Sequence, residues 1–156
     1  MTVTRAVVEV RGRGWAPSDA ACGGEEAQEM NQSVAGRTAT ASTPVGTWRE
    51  ELLLERGTYT STLRFTPNGR TLLLAGPRPG CVGAGTWTAT GAGRFSFRLA
   101  ELVFDPDGTF TGWVDIEQHV VQTGDTFASS GVSHVYDADD QLLERAEVAA
   151  RGTRSR

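Results

Sequence analysis

One segment of the chain places a carboxylate within an alternating run of apolar residues. Residues 94–104 carry large apolar side chains at every second position: Phe95, Phe97, Leu99 and Val103. Glu101 has the same parity, which means that it falls at the same alternate positions and on the same face of the strand. A carboxylate among such residues must be paired, hydrogen-bonded or neutralised, because a lone buried charge is costly. Glu101 is therefore a candidate for holding or polarising a ligand by hydrogen bonding. The alternative is a bulge that shifts the register, or a wet position near a rim.

A second candidate, Gln118, lies in the next apolar run. It shares a face with Phe110, Val114, Ile116 and Val120. If residues 94–104 and 110–121 pair through the Asp-Pro-Asp-Gly turn, Gln118 and Glu101 share one polar patch, so we assign both a hydrogen-bonding catalytic role. The alternative for Gln118 is a buried amide that pairs with a protein neighbour.

The two histidines are acid–base candidates by type. His119 alternates with Asp115 and Glu117, which places it on a solvated face. The phase of His134 stays open, because Tyr136 shares its parity while Val135 makes the other face apolar too. No Ser-His-Asp arrangement follows without that phase.

Aromatic residues offer walls for a cavity. Tyr59, Trp87 and Phe97 are the lining candidates by parity, and we add Tyr136 as a fourth substrate-binding residue; packing in the core is the alternative. The triplet Gly-Thr-Trp occurs twice, ending at Trp48 and Trp87. Glycine before a strand followed by a large aromatic suits a barrel corner, where the glycine permits the bend and the tryptophan closes the barrel end.

The elements that must position these residues are short strands between strong turn signals. Asn68-Gly69 is typical of a hairpin, as are Asp107-Gly108 and Gly124-Asp125. The predicted strands cover about residues 47–55, 58–66, 70–75, 82–90, 94–104, 110–121, 126–136 and 141–150. Short, regular spacing is typical of a β-sandwich or barrel. We favour an all-β, antiparallel up-and-down barrel, because closure removes exposed edges and eight strands can enclose one small ligand.

The chain divides into a flexible N-terminal segment, residues 1–44, and a barrel domain, residues 45–154. Residues 12–44 are rich in small and polar types and bury too little apolar surface to offset their ordering entropy. We expect the last residues, Arg151–Arg156, to fray. Cys22 and Cys81 are the only cysteines, and a cytosolic pair is more often reduced than bridged.

The composition of the chain limits the kinds of partner and chemistry that we expect for it. The 156 residues carry a net charge of −4, and every basic side chain is arginine. An acidic balance argues against nucleic acid or an anionic membrane as a partner, and the absence of lysine excludes Schiff-base chemistry. Two cysteines and two histidines at wide spacing make no metal signature, so we expect no metal or cofactor. Residues 1–10 lack an apolar signal-peptide core, which makes a cytoplasmic location the expectation.

Several motifs resemble those of a known group of proteins. They are Gly83-Ala84-Gly85-Thr86-Trp87, Phe95-Ser96-Phe97, Asp107-Gly108, Gly124-Asp125-Thr126-Phe127, Tyr136-Asp137 and Gly152-Thr153-Arg154. Together these look like small lipocalin-like barrel proteins of actinobacteria, some of which are polyketide cyclases that catalyse Diels–Alder or related cycloadditions. The resemblance covers about residues 45–154 and rests mostly on turns and corners.

The resemblance implies an apolar small-molecule substrate, a polyketide-like polyene that undergoes an intramolecular, transannular cycloaddition without a cofactor. Such a reaction depends on orientation, with help from a hydrogen bond to a conjugated carbonyl. The competing interpretation is a carrier that sequesters an apolar molecule without converting it. A ketosteroid-isomerase-like cone is weaker, because residues 12–44 are a poor source of helices. The sequence leaves oligomeric state open, with a homo-oligomer as one outcome.

Overall fold

The computed structural model describes residues 43–55, 57–76 and 82–156, and in these ranges all regular structure is β-strand. The strands in chain order are β1 Gly46–Leu54, β2 Gly57–Phe65, β3 Arg70–Ala75, β4 Val82–Gly91, β5 Arg94–Phe104, β6 Phe110–Thr123, β7 Thr126–Asp137 and β8 Leu142–Arg154. Within the same ranges, no helix is long and apolar enough to cross a membrane. Cys22 and Cys81 lie outside the described residues, so their predicted redox state is not addressed by the structure.

The strands form a closed antiparallel barrel in which each strand pairs with the next and β8 pairs back with β1. The all-β, up-and-down barrel predicted from the sequence is therefore confirmed. Tight turns dictate this order: Gly69 has a φ of 82°, which glycine adopts without steric penalty, and the Thr66 and Arg70 backbones close the hairpin around it. Closure leaves β1 and β8 with partners on both sides, which removes the two free edges of the meander.

The C-terminal end of the chain is ordered further than the sequence predicted. β8 continues to Arg154, with Thr153 opposite both Arg49 and Thr126. The prediction that residues 151–156 fray is wrong for residues 151–154, because pairing with β1 and β7 fixes the backbone there. The predicted flexible segment, residues 1–44, lies outside the described residues up to position 42. Pro44 is described and buried, and its carbonyl accepts a hydrogen bond from Trp48 Nε1 at 2.8 Å.

One end of the barrel is filled by aromatic side chains. Its fully or almost fully buried members are Trp48, Phe65, Phe95, Phe97 and Phe127, with Leu63 and Val120 packed among them. The guanidinium of Arg154 stacks on Trp48 with its carbon 4.3 Å from the ring centroid. Trp87 packs against the same cluster and donates to the Thr66 carbonyl at 2.9 Å. Both tryptophans of the repeated triplet thus close this end of the barrel.

Candidate functional site

The other half of the lumen contains a cavity with a volume of about 70 Å³. Every strand except β4 contributes to its wall. The wall is mostly apolar, with side chains that include Leu52, Leu73, Leu99, Val114, Ile116 and Val148. These positions face inward because alternate residues of a strand point to the same side of the sheet. The cavity can therefore take an apolar group.

Six polar side chains interrupt this apolar wall: Glu50, Tyr59, Ser61, Glu101, Gln118 and Ser133. They come from β1, β2, β5, β6 and β7, so closure of the barrel is what brings them together. A mostly apolar cavity with a few convergent polar groups is the usual composition of a small-molecule site.

Glu50 is a buried ionisable group of the site with a strongly shifted pKa. It is 5% exposed, and Ser61 Oγ donates a hydrogen bond to its Oε2 at 2.6 Å. Burial raises the pKa of Glu50 from 4.5 to about 7; the Ser61 hydrogen bond lowers it, and the charge of Glu101 raises it. Near neutral pH a large share of Glu50 is thus the neutral acid, which has a proton to donate to a ligand.

Glu101 lies in the lumen, 7% exposed, and its charge acts on Glu50. The β5–β6 register is regular from Arg94 to Val103, and its shift falls only between Val103 and Phe104. A bulge therefore does not turn Glu101 outward, and the wet-rim alternative does not fit its burial.

Gln118 is 1% exposed and lines the cavity. Within the described ranges, neither its Oε1 nor its Nε2 has a hydrogen-bond partner. Its cross-strand neighbours are Phe97 on β5 and Gly131 on β7, and neither side chain offers a polar atom. The alternative of an amide paired with a protein neighbour is therefore not what the structure shows.

The aromatic residues predicted to bind substrate divide into two pairs. Tyr59 and Phe97 line the cavity. Trp87 points into the barrel but belongs to the aromatic cluster that fills the opposite end of the lumen (the sealed end), where it packs on Phe95. Tyr136 lies on the outer surface, stacked on Trp113 with ring centroids 4.4 Å apart. The expectation that Trp87 and Tyr136 line the cavity is thus corrected. Trp87 faces inward at the wrong height along the barrel, which the alternation of a strand does not give, and Tyr136 faces outward because Ser133 and Val135 take the inward positions of β7.

Both histidines lie outside the lumen. His119 is exposed beside Glu117, as its charged neighbours predicted. His134 is opposite Asp115 on the outer face, since Ser133 and Val135 take the inward positions. Asp115 also accepts two hydrogen bonds from Arg98, which together with the charge of Arg98 lowers its pKa. Neither histidine is placed to act on a group in the cavity.

Glu50 and Ser61 were not among the site residues predicted from the sequence. Glu50 shares parity with Trp48 and Leu52, but Leu53 on the opposite face hides the alternation. Ser61 falls among inward residues of β2 and carries no signal of its own. The signal that could have identified Glu50 is a carboxylate at the same alternate positions as inward apolar residues, which is how Glu101 was identified.

The described residues hold no group of three or more histidine, cysteine, aspartate or glutamate side chains arranged to bind a metal ion. Comparison of the chain with protein-family models, with curated proteins and with solved structures finds no match in any of the three.

Proposed function

We propose that the protein binds an apolar, polyketide-like polyene in its lumen and promotes an intramolecular, transannular cycloaddition of it. The observation that carries the proposal is the cavity itself, an apolar enclosure at one end of a closed barrel, with the buried carboxyl of Glu50 and the amide of Gln118 facing it. The lipocalin-like motifs of the sequence point in the same direction. Under this proposal the reaction uses no cofactor.

Shape supplies most of the catalysis in this proposal. A cycloaddition proceeds when a flexible chain is held with its reacting carbons in contact, and such orientation is worth several kcal/mol. The rigid wall of paired strands suits this role. Leu99 lies on β5 and Ile116 on β6, and each of these strands is hydrogen-bonded to a neighbour on both sides.

A hydrogen bond supplies the remainder. Glu50 as a neutral acid would donate to a carbonyl conjugated with the reacting alkene, which stabilises the charge that develops there. Ser61 holds one oxygen of Glu50 and so fixes the orientation of the carboxyl group. Gln118 and Glu101 add further hydrogen-bonding groups to the same wall.

The size of the cavity bears on how much of the substrate is enclosed. About 70 Å³ is well below the roughly 300–1,000 Å³ of sites that surround a drug-sized ligand. The cavity therefore encloses one ring-sized part of the substrate. We propose that the rest extends past Tyr59, where residues 57–61 of β2 pair only with β1 among the described strands.

A carrier that sequesters an apolar molecule is the second candidate, and the wall composition favours it equally, since apolar lining serves binding without conversion. The two are separated by incubating the protein with a macrolactone polyene that carries a diene and a dienophile in its ring. A new isomer of equal mass, formed faster than without protein, supports the cyclase. Binding with no such isomer contradicts the cyclase and favours the carrier.

A variant pair tests whether the lumen is the site. Val148 lines the cavity, so Val148→Phe fills it, whereas Ala149→Phe adds the same ring on the other face of β8. We expect Val148→Phe to weaken polyene binding at least tenfold and Ala149→Phe to leave it within about twofold. Equal binding by both variants, each with a cooperative unfolding transition, would exclude the lumen.

A further inference from the structure

The side-chain amide of Gln118 is an unsatisfied recognition element inside the cavity. It offers one acceptor and two donor hydrogens, and within the described residues both of its polar atoms are buried without a hydrogen-bond partner. Buried polar groups in folded proteins are nearly always hydrogen-bonded, because leaving one unmade costs free energy. The amide is therefore available to hydrogen-bond a ligand that enters the cavity.

The residues directly beside Gln118 in the sheet do not satisfy this amide. The inward neighbours of Gln118 along β6 are Ile116 and Val120, and across the sheet it faces Phe97. On the β7 side it faces Gly131, where a Cβ would lie 1.8 Å from the Glu117 carbonyl oxygen. That close approach of β6 to β7 restricts position 131 to glycine, so no side chain there can reach the amide.

The chemistry of the amide defines the complementary ligand group. A planar amide satisfies both its donor and its acceptor when it meets a second group with N–H and C=O on neighbouring atoms, through two antiparallel hydrogen bonds. A lactam or a primary carboxamide has this arrangement, and a lactone or ketone lacks the donor. A neutral group is also favoured over an ion, because the surrounding wall is apolar.

We propose that Gln118 is a specificity-determining residue that selects ligands bearing a neutral lactam or primary carboxamide. This rests on the proposed binding of a small molecule in the lumen, and it adds the polar group by which that molecule is recognised. The cavity of about 70 Å³ suits one small ring, so the recognised group is the enclosed part of the ligand.

Four five-membered rings of similar size test the proposal: pyrrolidinone with a donor and an acceptor, γ-butyrolactone and cyclopentanone with an acceptor only, and cyclopentane with neither. Each is titrated into the full-length protein, with affinity followed by NMR chemical shifts. We expect pyrrolidinone to bind about tenfold more tightly than γ-butyrolactone, and both resonances of the Gln118 NH₂ group to shift with pyrrolidinone.

The variant Gln118→Leu removes the amide and keeps the side-chain volume. It should bind pyrrolidinone and γ-butyrolactone within twofold of each other. The control is Ser130→Ala, which removes a hydroxyl from the exposed outer face of β7 and should keep the tenfold preference.

Two results would overturn the proposal and leave lumen binding intact. In one, the wild type binds all four rings alike, as it would if water alone satisfied the amide. In the other, Gln118→Leu keeps the preference for the lactam. Failure of every ring to bind the wild type would overturn the subsite, whereas the proposed function falls only if the polyene also fails to bind. Because the Gln118 NH₂ resonances are read in the wild type, the test holds even if the variant folds poorly.

Discussion

Replacing Glu50 with glutamine should change how the stability of the protein depends on pH. The carboxyl of Glu50 is buried and hydrogen-bonded to Ser61, and its pKa is raised from 4.5 to about 7. Glutamine has nearly the same shape and can still accept from Ser61, but it does not ionise. The substitution therefore isolates the free energy of burying the charge.

The sign and size of the difference in stability between Glu50→Gln and the wild type follow from proton linkage. Because the folded protein holds this proton more tightly than the unfolded chain, Glu50 lowers stability as pH rises from about 4.5 to about 7. A difference of about 2.5 in pKa, at about 1.4 kcal/mol for each unit, gives about 3 kcal/mol. Glu50→Gln should thus equal the wild type in stability near pH 4 and exceed it by up to about 3 kcal/mol at pH 8.

Urea unfolding of both proteins between pH 4 and pH 8 measures this difference directly. The control is Glu147→Gln, which removes a carboxylate from the exposed face of β8 and should not reproduce the gain in stability of Glu50→Gln. Parallel curves for Glu50→Gln and the wild type would refute the reasoning, because they would mean that Glu50 ionises as freely in the fold as in the unfolded chain.

Three further changes have expected outcomes. Gly131→Ala should destabilise the protein by about 1–3 kcal/mol or more in urea unfolding, because its Cβ would meet the Glu117 carbonyl at 1.8 Å, and retained stability would contradict the close strand approach. Arg154→Ala should cost about 1–3 kcal/mol in the same assay, since it loses its contact with Trp48 and hydrogen bonds at the sealed end, and an unchanged midpoint would show that they contribute little. If shape dominates catalysis, Glu101→Gln should keep single-turnover cyclisation within about tenfold, whereas a loss of about 10²-fold with a vanished pH profile would indicate acid–base catalysis.

The barrel was predictable because its signals are local. Turn pairs such as Asn68-Gly69 and alternating apolar residues in β5 and β6 depend on neighbours in sequence, and eight strands with tight connections leave closure as the way to remove the edges. The end of β8 was not predictable in this way, because the strand is continued to Arg154 by pairing with β1, about a hundred residues earlier in the chain.

The site was only partly predictable. Parity placed Glu101 and Gln118 on an inward face, but it could not tell which of Phe97 and Trp87 reaches the cavity, since that depends on stagger around the barrel. Glu50 needed the same parity argument applied to β1. Its coupling to Glu101 depends on where β1 and β5 lie in the closed barrel, which no local pattern encodes.

The central claim is that the ligand occupies the lumen, and intermolecular NOEs between a bound polyene and the protein's methyl groups test it most directly. The competing location is the outer surface, where Leu74, Val82 and Leu102 are 38–50% exposed. We predict NOEs from the ligand to methyl groups of Leu99, Ile116 and Val148, which line the cavity. NOEs confined to the three outer residues would contradict a lumen site.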